Sequence, residues 1–230
     1  LENPAELSLI IPALNEEDTL RRLLPQLFAL APCPQVIVSD GQSKDKTASV
    51  ASDLGATVVS GPPGRGAQLN RGVTQASGST LFFLHADSFF PEHSYHMLLQ
   101  TLRESPELDG GALRFSLAGT VGAWPRIYEH MVHIRNRTLQ LPYGDQGFFL
   151  RTHLWEDTTQ FADWPLMEDV EWWERIQRQY TMRILPWPLV TSARRFEQRG
   201  YLTSAVRNLS TMARYRWGTS PFILAKEYYK

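Results

Sequence analysis

The chain has 230 residues, enough for one large domain with a substantial core. Its 23 Lys and Arg against 24 Asp and Glu give a formal charge of −1, so nothing in the balance calls for nucleic acid or another polyanion as main partner. The one cysteine, Cys33, excludes an internal disulfide framework and a cysteine-based zinc site, and a reducing cytoplasm is the expected compartment.

No apolar run approaches the roughly 20 residues of a membrane span. Leu1–Leu7 carries acids and no basic stretch, so no signal peptide is expected. All seven Trp lie from Trp124 onward, an asymmetry that suggests two functional halves within one continuous domain. The expected division is a nucleotide half over about 1–90, an acceptor half over about 91–195 and a helical tail over about 196–230.

Leu7–Pro12 reads as a buried strand stopped by proline. Asn15 is the expected N-cap of a helix that carries Leu20, Leu23, Leu24, Leu27 and Leu30, with Glu16, Glu17 and Asp18 suited to its positive end. Val36–Asp40 is a second strand, followed by the turn chemistry of Asp40-Gly41-Gln42-Ser43. Lys46–Leu54 reads as a helix closed by Gly55, with Asp45 capping it. Ala56–Ser60 is a third strand. The loop Pro62-Pro63-Gly64-Arg65-Gly66 leads into a helix through Leu69, Val73 and Ala76, and Leu81–Leu84 is a fourth strand ending at Asp87. In the second half, Pro91 opens a helix at its first position. Gly110–Ser116 is a strand and Val121–Leu139 a helix. Tyr143–Leu150 is a turn and then a strand, Leu166–Tyr180 a helix, and Met182–Leu185 the last strand. Tyr201–Lys230 is an amphipathic helix with aromatic ends. Its interleaved cations and aromatics suit peripheral contact with a membrane, packing back on the domain, or a dimer contact.

Strands alternating with helices predict an α/β protein with a mostly parallel central sheet. Asp40 and Asp87 both fall at strand C-termini, on one sheet edge, so both carboxylates are expected to face one crevice. A dinucleotide fold is excluded at the first turn, Pro-Ala-Leu-Asn-Glu-Glu, which holds no glycine and two acids that would repel a pyrophosphate. Gly-Pro-Pro-Gly-Arg-Gly lacks the Lys-Ser/Thr ending of a P-loop.

A specific resemblance is carried by five segments in order: Ile11–Glu17, Ser39–Thr47, Gly64-Arg65-Gly66 with Leu69–Gly72, His85-Ala86-Asp87, and Gly144–Gly147 with Met167-Glu168-Asp169. Over roughly residues 7–195 the chain resembles family 2 glycosyltransferases of the GT-A fold, a three-layer α/β/α sandwich. It is similar to a short soluble subgroup associated with radical-SAM gene neighbourhoods. The resemblance implies inverting transfer of a sugar from a nucleotide diphosphate donor, UDP favoured over GDP, to a hydroxyl or phosphate acceptor. A divalent Mg²⁺ or Mn²⁺ ion is the implied cofactor. The absence of the Gln-x-x-Arg-Trp motif of processive synthases implies a single transfer. A nucleotide- or glycan-binding protein without turnover, and a sugar-nucleotide pyrophosphorylase, are the alternatives. The latter lacks its glycine-rich basic first turn here.

Carried over residue by residue, the resemblance assigns Pro12, Ala13, Leu14 and Glu16 to the base and ribose, and Asp40 to the nucleobase edge. Arg65, His85 and Ala86 join them around the nucleotide, with Arg71 a second cation. Asp87 becomes the metal ligand. His85 replaces the first acid of the usual Asp-x-Asp and removes one negative charge. Arg114, Asp145, Gln146, Arg194 and Arg195 would meet diphosphate or acceptor. Asp169 is the implied general base with Glu168 behind it, because neighbours on a helix point about 100° apart. By the same spacing Trp172 and Trp173 are not expected to be buried on one face, and one is a candidate to stack on a sugar ring. Each residue also has a plain reading: helix caps for Asn15 and Glu16, turn formation for Asp40 and Asp145, a core histidine for His85, dipole complement for Glu168 and Asp169, and solvated cations for the arginines.

Overall fold

The computed structural model describes residues 6–118 and 123–228, without the side chains of Arg195 and Gln198. Eight strands, β1 (Leu7–Ala13), β2 (Gln35–Asp40), β3 (Thr57–Ser60), β4 (Thr80–Phe83), β5 (Ser88–Phe89), β6 (Gly110–Leu117), β7 (Phe148–Arg151) and β8 (Met182–Thr191), form one sheet in the order β3-β2-β1-β4-β7-β6-β8-β5. Strands β1–β4 are mutually parallel, and β6 and β8 run the same way. Strand β7 is antiparallel to both β4 and β6, and β5 is antiparallel to β8. The C-terminal ends of the six co-directional strands, the start of β7 and the β4–β5 loop therefore meet at one edge.

Helices cover both faces, giving three layers. Leu20, Leu23, Leu24 and Leu27 of α1 (Glu17–Phe28), Ala51 of α2 (Thr47–Asp53) and Tyr95, Leu98, Leu99 and Leu102 of α4 (Glu92–Glu104) pack on one side with Leu9, Ile11 and Phe82. Leu69 and Val73 of α3 (Arg65–Val73) and Val170, Trp172, Trp173 and Ile176 of α6 (Glu168–Ile176) pack on the other with Ile10, Leu81, Phe83 and Phe148. Four further helices belong to the second half: α5 (Ala123–Leu139), α7 (Arg194–Arg199), α8 (Tyr201–Arg216) and α9 (Pro221–Tyr228).

Several expectations are corrected. Asn15 does not cap α1. It sits in the left-handed region at φ 56°, and its Oδ1 accepts from the Lys44 N–H. The first amides of α1 are satisfied from the next loop instead: Glu16 N–H donates to Thr47 Oγ1 and Glu17 N–H to Asp45 Oδ2. Asp45 also accepts from the Thr47 N–H, so one acid ties the starts of α1 and α2. Pro91 precedes α4 in an extended conformation rather than opening it. Strand β8 continues through Pro186 and Pro188 because its pairing to β6 shifts between Ala112/Ile184 and Arg114/Pro188, and prolines are tolerated where a ladder bulges. Trp172 and Trp173 are both fully buried. Their indoles donate to the Thr159 and Gln140 carbonyls on different sides of α6, and Trp172 stacks between Phe148 and Phe161. The segments flanking α6 cover both ring faces, so neither tryptophan is free to stack on a sugar.

Candidate active site

The loop after β4 delivers His85 and Asp87 to the sheet edge. From the far side, the left-handed Met167 (φ 67°) starts α6 so abruptly that Glu168 and Asp169 fall in its first turn. Arg65 opens α3 between them. These five side chains, with Asp145, line one cavity of about 570 Å³. Asp87 also borders a second cavity of about 300 Å³ with Glu16 and Arg194.

Glu168 is 2% exposed, and its Oε1 lies 3.1 Å from Arg65 Nη1. Burial and the neighbouring Asp169 push its carboxyl above the usual range, and Arg65 opposes them. Asp169 is placed by its own helix start and by a short 3-10 turn over Gly144–Gln146: its Oδ2 accepts the Gly144 N–H at 2.8 Å. A Cβ at Gly144 would lie 3.2 Å from His85 Nε2 and 3.3 Å from Asp169 Oδ2, so a side chain there would push these groups back by a few tenths of an ångström. Asp145 on the same turn has its carboxyl pushed up to about 6, chiefly by burial, then by the charges of Asp169 and Asp87 against those of Arg135 and Arg65. Its Oδ1 is buried with no hydrogen-bond partner among the described residues.

That orphaned oxygen, with the charges of Asp169 and Asp87 acting on Asp145, fits a hard divalent cation. No group of three or more His, Cys, Asp or Glu forms a ready cage among the described residues. A small cation bound through one or two carboxylates plus substrate phosphates needs none.

Other sequence-predicted residues lie elsewhere. Gln146 is fully buried and does not reach the cavity. Its Oε1 accepts from Arg135 and Asn136, and its Nε2 donates to the Leu113 carbonyl, so it positions the turn that carries Asp145. Arg114 is drawn off by the irregularity in β8, donating from Nε to the Pro186 carbonyl at 2.9 Å, and borders neither cavity. Asp40 is 4% exposed, and its carboxylate accepts the amides of Gln42 and Ser43, so it holds its own turn rather than facing the crevice with Asp87. Arg71 donates to the Asp40 carbonyl. Ala13 and Ala86 are buried and Leu14 is exposed, with Pro12 between. Gly66 serves α3 packing, since a Cβ there would meet the Ala162 carbonyl at 2.2 Å. The Arg195 side chain lies outside the described residues.

Two contributions were not anticipated. Gln68, buried in α3, donates to the carbonyls of Ala13 and Ser39 and so locks the ends of β1 and β2 together. Helix α8 forms the outer wall of the large cavity through Thr203, Ser204, Arg207, Asn208 and Thr211. The i, i+4 and i+8 spacing of Thr203, Arg207 and Thr211 was the available signal.

The sheet, its layers and the acids at its edge define the GT-A class of nucleotide-diphospho-sugar transferase folds. The chain matches the model for glycosyl transferase family 2 over residues 8–191 and belongs to that family. It is 32% identical over 119 residues to uncharacterized glycosyltransferase Mb0553 of Mycobacterium bovis, covering 51% of this chain and 52% of that protein. Thus the match spans about half the length of these curated relatives. Protein RfbJ of Shigella flexneri is 28% identical over 102 residues, 42% of this chain and 79% of that protein. In fold, the chain superposes on the mannosyltransferase PcManGT of Pyrobaculum calidifontis, solved with GDP-Man and Mn²⁺, with a TM-score of 0.67 at 17% identity over 99% of this chain and 70% of the other. Glucosyl-3-phosphoglycerate synthase of Mycobacterium tuberculosis, solved with Mn²⁺, UDP-Glc and phosphoglyceric acid, gives 0.59 at 20% identity over 80% and 70%.

Proposed function

We propose that the chain is an inverting glycosyltransferase that moves a sugar from a nucleoside diphosphate donor to a hydroxyl or phosphate acceptor. The observation that carries this reading is Asp169, oriented by the Gly144 N–H and facing the same cavity as Arg65 and Asp87. In the proposed reaction the acceptor oxygen forms a bond to the anomeric carbon as the bond from that carbon to the diphosphate breaks. Asp169 takes the acceptor's proton, and the nucleoside diphosphate leaves. Inversion needs base and leaving group on opposite faces of that carbon, and α6 and the β4 loop are separate walls of the cavity. A Mg²⁺ or Mn²⁺ ion held by Asp87, with Asp145 beside it, would supply positive charge to the departing diphosphate. Arg65 holds Glu168 at the cavity wall. Other family-fold proteins hold GDP-Man and UDP-Glc, and uracil and guanine both carry a ring N–H; UDP is our first choice.

Calorimetry of UDP and GDP, each with and without Mn²⁺, tests the donor site. Metal-dependent binding of one nucleotide, lost in Asp87→Ala, is expected. Binding of neither overturns the reading.

A further inference from the structure

Helix α8 has two apolar faces: Tyr201, Ala205, Met212 and Tyr215 pack on the domain, and a second is turned outward. Leu202, Val206 and Leu209 recur at i, i+4 and i+7, one helical face, and are 64%, 59% and 72% exposed. The opposite face, with Thr203, Arg207 and Thr211, borders the large cavity. Surface helices of a globular protein ordinarily carry polar residues on the face turned away from the core. Helix α5 lies beside it: the Tyr128 ring meets Tyr201, and Asn208 Nδ2 donates to the Tyr128 hydroxyl at 3.2 Å. It buries Tyr128 and Val132 yet leaves Trp124, Ile127, Met131 and Ile134 about half exposed along another face. Phe222 and Ile223 of α9 are also exposed. Apolar side chains clustered on adjoining helices, rather than scattered singly, mark an interaction surface.

The charge of this layer says what it meets. Helices α5, α8 and α9 hold seven of the 23 Lys and Arg but two of the 24 Asp and Glu. They therefore carry a net +5, and the remainder of the chain −6. A second copy would set like charge against like charge. An anionic lipid surface accepts both features, taking apolar side chains at the acyl boundary and cations at the headgroups. No described helix is long and apolar enough to cross a membrane, so the contact is peripheral.

We propose that α5, α8 and α9 dock the protein on an anionic bilayer. The docking stands apart from the transferase reading; where that reading also holds, α8 becomes the partition between the lipid surface and the cavity, and acceptors are met at the membrane.

The full chain would be floated with vesicles of phosphatidylcholine alone and of equal parts phosphatidylcholine and phosphatidylglycerol. Binding is expected to the mixed vesicles and to weaken with salt. A Leu202→Ser/Val206→Ser/Leu209→Ser variant and an Arg126→Gln/Arg137→Gln variant are each expected to bind at least about tenfold less. Both keep the parent's nucleotide affinity, which separates failure of the surface from failure of the donor site. Should the serine variant fold poorly, the arginine variant decides. Absence of binding to the mixed vesicles, or binding that neither variant weakens, overturns the proposal. So does a dimer, seen by sedimentation, that the serine variant dissolves.

Discussion

The backbone N–H of Gly144 donates to the Asp169 carboxylate across 2.8 Å, joining the turn before β7 to the first turn of α6. Two adjacent acids at the cavity are thereby held differently. Glu168 is held by Arg65, whereas Asp169 is oriented by a neutral donor. Replacing Asp169 with Asn keeps the size of the side chain and removes its capacity to take a proton. Transfer is expected to fall by about 10²–10⁴-fold, with nucleotide affinity in calorimetry retained. A variant that turns over at the parental rate would move the base elsewhere.

Arg65→Ala leaves a buried carboxylate without its cation. Glu168 is 2% exposed and Arg65 34%, so the loss is expected at about 2–3 kcal/mol, below the range for fully buried pairs. Adding Glu168→Gln to Arg65→Ala should recover most of it. Urea melts of the two single variants and the double variant measure this coupling directly.

Asp145 gives the protein a pH signature. Its carboxyl is raised from 3.8 to about 6, so between those values the native state binds more protons than the unfolded chain. Stability contributed by this group therefore falls as pH rises through the window. In chelator-treated protein, Asp145→Asn is expected to melt higher than the parent above about pH 6 and to match it below about pH 4. At about 1.4 kcal/mol per pH unit the gain is at most about 3 kcal/mol. Parallel melting curves at both ends would contradict the assignment.

Gly144→Ala isolates the geometry of the turn. The added methyl would press on His85 and Asp169 at 3.2–3.3 Å without disturbing the core. The expected result is a folded protein with transfer reduced at least about tenfold, since small displacements of a base are costly. An unchanged rate would mean that Asp169 does not need the close approach of this turn.

How far the sequence carried depended on whether a residue's role was periodic or relational. Strands β1 and β2 and helix α1 were legible because apolar residues recur with the period of the element that buries them. Strand β5 is two residues long and exists only through pairing with Ser192's neighbour Thr191 and with Val190, so no local pattern marks it. Gln146 and Asp145 are adjacent polar residues on one turn, yet one is sealed inside by Arg135, Asn136 and Leu113 while the other lines the cavity. Nothing in the local sequence distinguishes them. Arg114 was misplaced for a similar reason: its partner is a carbonyl 72 positions away in a bulged strand. The two tryptophans do point to different sides, as their spacing requires, but α6 has packed segments on both sides, so neither is left to stack on a sugar.

The order of strands also bears on how the chain acquires this site as it is made. Strand β4 ends at Phe83, but its neighbour away from β1 is β7, which begins at Phe148. Strand β6 likewise has only later partners, β7 and β8. A chain emerging from its N-terminus can pair β1–β4 early, yet His85 and Asp87 stay at an open sheet margin until more than sixty further residues have followed. Late, long-range closure of this kind slows folding and exposes strand edges. Closure of the sheet by β7 and arrival of Glu168 and Asp169 on α6 both wait for the second half, so a nascent chain truncated before Phe148 would lack both.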